Sequence, residues 1–188
     1  MFLFLGLSSL SYGQEGRVTE AEINVQKTFI EANREKILGN YEEAANLFRE
    51  VLAENARNGA AAYELARVYD VLERNKEALE SVKLAVSIEP LNSWYQTFLA
   101  DLYEDGRQYG LAAEVYENLI QIYPDQHYYY YKQAFYLVKN QDVTKAIKVY
   151  NQLEEIIGIT QDLTGKKFRL YLALGNTKKA TGELKKLV

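Results

Sequence analysis

Residues 59–92, GAAAYELARVYDVLERNKEALESVKLAVSIEPLN, and residues 93–126, SWYQTFLADLYEDGRQYGLAAEVYENLIQIYPDQ, align without a gap, and their shared columns decide the fold. Ala66 falls on Ala100, Ala78 on Ala112, Tyr69 on Tyr103 and Pro90 on Pro124, each pair 34 residues apart. A fixed period of this length means stacked supersecondary units, each burying an apolar face against its neighbour. The interval persists outward in both directions. Ala44, Ala78, Ala112, Ala146 and Ala180 form one series, and Ala32, Ala66, Ala100 and Ala134 form a second that breaks only at Phe168. In each unit the two alanine positions lie 12 residues apart, with a turn such as Leu38-Gly39-Asn40, Glu73-Arg74-Asn75 or Asp105-Gly106-Arg107 between them. That spacing predicts a helical hairpin, because two antiparallel helices approach closely only where both present a methyl-sized side chain.

Further columns agree with a hairpin array. Tyr69, Tyr103 and Tyr171 follow the first small position by three residues, and Phe48, Tyr116 and Tyr150 follow the second by four. Pro90 and Pro124 sit just beyond runs of helical periodicity, where a residue lacking a backbone donor stops one helix before the next begins. Small residues at the eighth and twentieth positions, aromatics near the eleventh and twenty-fourth and proline at the thirty-second resemble the tetratricopeptide repeat. The resemblance covers residues 25–188 and implies an all-α, right-handed superhelical solenoid of antiparallel helix hairpins. The expected units are 25–58, 59–92, 93–126, 127–160 and an incomplete 161–188, after a lead-in at 14–24. Glu35 replaces an aromatic, Ala56 a proline and Phe168 a small residue, so neighbour packing should differ at the two ends. Thr19 and Glu22 form a capping-box pattern for the first helix. Leu184 and Leu187 close the chain at positions that should face a neighbour, so this end is expected to pack on further repeats or on a partner.

In the family that the repeat resembles, the first helix of each pair lines the concave surface at about its second, fifth, ninth and twelfth positions. Carried onto this chain, the lining is Phe29, Asn33 and Lys36; Tyr63, Arg67 and Asp70; Trp94, Asp101 and Glu104; and Tyr128, Tyr131 and Phe135. Tyr, Trp and Arg anchor protein interfaces because they combine large rigid area with a polar tip. The resemblance therefore implies a groove whose aromatics grip a peptide or partner protein, with Arg67 meeting an acidic group and Asp101 a basic one. The competing reading of each residue is that it covers the adjacent repeat. Tyr128 to Tyr131 cannot act as one strip, since consecutive helical residues turn by about 100°. Tyr129 and Tyr130 should pack on the preceding hairpin, leaving Tyr128 and Tyr131 toward the groove. The lysine and asparagine clamp by which some members hold a chaperone's terminal carboxylate is absent apart from Asn33, because Phe29, Tyr63, Thr97 and Tyr131 fill the fifth positions.

Charge and residue chemistry narrow the function further. The net charge of −4 disfavours nucleic acid, which needs a basic surface that releases counterions. The charge is uneven, with +5 in residues 161–188 and −9 elsewhere, so that end suits an acidic partner unless its lysines merely solvate a helix face. The chain has no cysteine, which excludes disulfides and thiolate chemistry. His127 is the single histidine and lies at an expected helix start, where a solvated or capping role fits better than catalysis. Gly165-Lys166 is followed by Lys167 rather than Ser or Thr, so no phosphate loop forms. Asp101, Glu104 and Asp105 share a helix face but offer too few oxygens for a calcium site, and read as an acidic patch on the groove. No catalytic residue, metal or cofactor is expected.

Phe2 to Leu10 form an apolar run too short to span a bilayer, followed by Ser11-Tyr12-Gly13 with small residues at the −3 and −1 positions of a cleavage site. Residues 1–13 thus resemble a signal peptide that lacks its basic start, and periplasmic export is expected; without cleavage the protein would be cytoplasmic. The expected function is a non-enzymatic protein-interaction scaffold. The alternative is a non-catalytic repeat region that positions a downstream enzymatic or sensory domain.

Overall fold

The computed structural model describes residues 19–187, so the expected signal peptide at 1–13 and the start of the lead-in lie outside the described residues. Ten α-helices and no strand occur among the described residues. They pair as α1 (Glu20–Leu38) with α2 (Tyr41–Glu54), α3 (Gly59–Val71) with α4 (Asn75–Ile88), and α5 (Ser93–Asp105) with α6 (Tyr109–Ile122). Next come α7 (His127–Lys139) with α8 (Val143–Ile157), and α9 (Gln161–Ala173) with α10 (Thr177–Leu184), followed by a short 3-10 turn at Lys185–Leu187. Each helix packs on those adjacent to it in sequence, which makes the chain an all-α solenoid of antiparallel hairpins. None of these helices is long and apolar enough to cross a membrane.

The alanine columns hold the hairpins together. All nine alanines of the two series are fully buried. At their positions the helix backbones approach with nothing larger than a methyl group between them. Larger side chains fill the remaining space: between hairpins Tyr116 of α6 and Tyr136 of α7 stack at 5.6 Å, and within the first hairpin Phe29 meets Phe48 edge-on at 5.7 Å. α4 and α6 stop two residues before Pro90 and Pro124. The carbonyls of Pro90 and Leu91 accept hydrogen bonds from the buried Gln96 amide and the Tyr123 hydroxyl, fixing that connection on the hairpin that follows.

A second periodic feature lies in the turns. Gly39, Glu73, Arg107, Gln141 and Gly175 all have left-handed backbone conformations, with φ of 84°, 56°, 54°, 66° and 69°. They are 34 residues apart and carry the same pair of backbone bonds. In the turn after α3, the Arg74 N–H donates to the Tyr69 carbonyl at 2.8 Å and the Glu73 N–H to the Asp70 carbonyl at 2.9 Å. This Schellman closure satisfies the last carbonyls of each first helix and reverses the chain within two residues. In the third hairpin the left-handed residue is Arg107, and the adjacent Gly106 has a φ of −74°.

α1 begins at the capping box: the Thr19 hydroxyl accepts from the Glu22 N–H at 3.2 Å and the Thr19 N–H donates to the Glu22 carboxylate at 2.7 Å. Glu35, at the position where an aromatic was expected, is buried and accepts from the Asn40 side-chain amide at 2.7 Å, bracing its own turn. At the other end the fully buried Lys167 lies 2.8 Å from Glu154 and 3.0 Å from Glu183, and Lys186 reaches the same two carboxylates at 2.9 and 3.1 Å. An ionic quartet therefore ties α10 and the 3-10 turn back to α8.

Candidate binding groove

The first helices of successive hairpins present one continuous face. In its N-terminal part Lys36, Tyr63, Arg67, Asp70, Trp94 and Phe98 surround an open concavity of about 640 Å³. Trp94, at the start of α5, is 75% exposed. Tyr63 is a packing residue as much as a lining one, stacked on Tyr95 at 4.7 Å and edge-on to Phe98 at 5.6 Å. The Arg67 guanidinium sits 5.9 Å from the Tyr63 ring and 3.9 Å from Glu64, which also binds Lys36. Phe29 is half-buried in the first hairpin, and the Asn33 amide donates to the Phe29 carbonyl at 2.9 Å. Of the residues expected from α1, Phe29 and Asn33 are therefore engaged within their own hairpin, whereas Lys36 reaches Glu64 of α3 and lines the concavity.

The C-terminal part is more open and more aromatic. Tyr128, Tyr131, Phe135 and Val138 of α7 meet Lys166, Arg169 and Leu170 of α9 around a concavity of about 470 Å³, with Lys132 and Tyr150 completing its wall. Tyr128 is 56% exposed and Phe135 42%. Tyr130 is buried, and Tyr129 packs between Tyr116 and Tyr123, as the helical turn requires for the tyrosine run. Tyr131 leans on Tyr150 at 6.0 Å, and Lys166 covers its ring at 5.5 Å. Phe135 carries Lys139 at 5.5 Å.

The two parts differ in charge. Asp70 of α3 lies near Asp105 of α5, and Asp101 of α5 lies near Glu104, Asp105 and Asp70. Loss of solvent within the curved wall, and then the neighbouring carboxylates, push Asp70 and Asp101 above the usual range; Lys132 opposes this at Asp101 and Arg67 at Asp70. Asp101 stays accessible at its surface while protein atoms crowd it from the sides. Glu104 accepts a hydrogen bond from the Tyr136 hydroxyl at 2.6 Å. Around α7 and α9 the sign reverses, because Lys132, Lys166 and Arg169 line the concavity, beside which Asp162 pairs with Lys166 at 3.3 Å and acts on the Tyr131 hydroxyl.

A tetratricopeptide repeat profile matches residues 37–102, and a second profile of the same family matches residues 99–158. The chain belongs to the tetratricopeptide repeat family. Anaphase-promoting complex subunit 3 of Schizosaccharomyces pombe is 29% identical over 116 residues, which cover 62% of this chain and 17% of that protein. The chain thus spans less than a fifth of that relative's length. Among solved structures, MamA protein aligns with a TM-score of 0.64 and 17% identity over 86% of this chain and 88% of that one. A MamA structure from Desulfovibrio magneticus RS-1 gives 0.61 and 14% over 90% and 94%. YrrB, described as a TPR protein with an unusual peptide-binding site, gives 0.62 and 17% over 90% and 91%. At such identities the likeness is one of fold. Within this tetratricopeptide array, Trp94 and Tyr128 occupy the same repeat position, and so do Asp101 and Phe135. Sequence reasoning missed Lys132, Lys166 and Arg169 as lining residues. Arg169 sits at the ninth position of the fifth unit and was legible by the rule applied to the first four; the two lysines lie at the sixth position, outside it.

Proposed function

We infer that the chain is a scaffold that holds a peptide or a segment of a partner protein along its first-helix groove, and that it binds without doing chemistry. The observation that carries this is the exposure of Trp94, Tyr128 and Phe135 on consecutive first helices. Buried aromatics are explained by the core, whereas neighbouring exposed ones on a concave face are rare in a protein that meets only water. The peptide-binding site ascribed to YrrB supports the same use of this fold. Affinity capture with the wild-type chain and with Trp94→Ala/Phe135→Ala tests it, because both side chains are exposed enough to be removed without loss of helicity. Loss of a captured protein from the double variant is the expected result. Equal capture by both proteins, at equal helicity by circular dichroism, would move the binding surface elsewhere.

We also propose export to the periplasm, on the apolar run Phe2–Leu10 and the Ser11-Tyr12-Gly13 pattern. The mature chain should then begin at Gln14. Intact-mass measurement of protein from native cells reads this directly, and a mass that includes residues 1–13 would reject it.

A further inference from the structure

We propose that the concavity between α7 and α9 takes an acidic segment of a partner polypeptide that also carries a bulky apolar side chain. The proposal rests on the groove reading above and gives its occupant a chemistry. The floor of the site is apolar: Tyr128, Tyr131, Phe135 and Leu170 offer ring faces and a branched side chain to a partner residue. The rim is cationic. Lys132 and Arg169 form no direct ion pair with any described carboxylate, although Lys132 is near enough to Asp101 to oppose the rise of its pKa, and Lys166 shares Asp162, at 3.3 Å and itself 58% exposed. The N-terminal half differs in this respect, since Lys36 and Arg67 both converge there on Glu64. Positive charge that nearby carboxylates only partly meet thus gathers at one end of the groove of a protein whose net charge is −4. Such charge attracts an acidic segment, while the aromatic floor supplies the area that makes binding more than steering.

Two other polyanions fit less well. A nucleic-acid strand running along the groove would meet Asp101, Glu104 and Asp105 one hairpin from the cationic rim and Asp70 one hairpin further on, and its evenly charged backbone would be repelled there. A bilayer surface is too flat to reach ring faces on the inner side of a curved array. A peptide escapes both objections, because its acidic residues can be confined to the part that lies over α7 and α9.

The test is fluorescence anisotropy of a labelled peptide in which Glu alternates with Leu and Phe, against the same peptide with every Glu replaced by Gln. The acidic peptide should bind, its affinity should fall as salt rises, and the neutral peptide should bind about ten-fold or more weakly. Arg169→Glu should weaken the acidic peptide by a similar factor. Lys132→Gln provides a second variant from a different helix, and circular dichroism monitors the fold of both. Equal binding of the two peptides, or an Arg169→Glu variant that binds as wild type, would overturn the proposal. So would tighter binding of labelled single-stranded DNA or of anionic phospholipid vesicles than of the acidic peptide. The two readings fail separately: a partner lost with Trp94→Ala/Phe135→Ala but retained with Arg169→Glu keeps the groove and rejects its acidic occupant.

Discussion

Tyr63 and Trp94 are both aromatic residues of first helices, yet Tyr63 is stacked into the space between α3 and α5 while Trp94 is 75% exposed. The lining rule proposed both, Tyr63 at the fifth position of its unit and Trp94 at the second, without ranking them; their burial depends on stacking geometry that no single column records. The alanine columns were legible for the opposite reason, since a methyl-sized gap has almost one solution. The left-handed turn residues show how a constraint can stay hidden. Glycine marks it at Gly39 and Gly175, but Glu73, Arg107 and Gln141 occupy the same conformation with a Cβ that opposes it, so composition gives no hint of the series. Gln141→Gly should therefore raise stability by about 0.5–1 kcal/mol, the relief of left-handed strain exceeding the added freedom of the unfolded chain. Chemical denaturation reads the change, and a lower midpoint would mean that the Gln141 side chain contributes contacts outweighing its strain.

At the scale of the hairpin, the terminal units are held by charges in places where the central units use aromatic and apolar packing. Phe168 departs from the small-residue series and is half-buried, while the adjacent Lys167 is fully buried among Glu154, Glu183 and Asn151. Sequence reading saw the departure at Phe168 but took the lysines for surface charge, because burial of an ion is unfavourable unless partners arrive from other helices. Burial alone would raise Glu154, but the bonds from Lys167 and Lys186 outweigh it and hold the carboxyl below its ordinary 4.5. A depressed carboxyl contributes stability that is present above 4.5 and lost as pH falls through the folded value. Glu35 in the first hairpin is likewise depressed, by the Asn40 and then the Arg34 hydrogen bonds. Acidification below about pH 4 should thus release α10 and the 3-10 turn while α5 to α8 keep their structure. Native-state hydrogen exchange of peptides from residues 177–187 and 109–139 checks this, and uniform loss of protection across both would show that the quartet is not the weak point.

Over the whole molecule the direction of pH dependence reverses from ends to centre. Asp70 and Asp101 sit above the usual carboxylate range, so protonating them relieves repulsion in the middle of the array under the same acid that opens its ends. The centre has its own alkaline limit. Burial raises the Tyr116, Tyr136 and Tyr150 hydroxyls, with Tyr150 reaching about 12 and the other two going higher, and these side chains come from the successive helices α6, α7 and α8. A hydroxyl raised in the folded state contributes stability that is full below the unfolded value of 10 and is lost as pH climbs through the folded one. In a solenoid each hairpin is supported only by its neighbours, so losing the middle separates the two ends instead of fraying one of them. Tyr136→Phe isolates one contribution. At neutral pH the variant should be less stable by about 1 kcal/mol or more, because the hydrogen bond to Glu104 is gone. Above pH 10 the wild type loses stability from a tyrosinate that forms only when the chain unfolds, and the variant has no such loss at this site. The difference in melting temperature between them should therefore shrink as pH rises past 10, whereas a constant difference would mean that the Tyr136 hydroxyl titrates alike in both states.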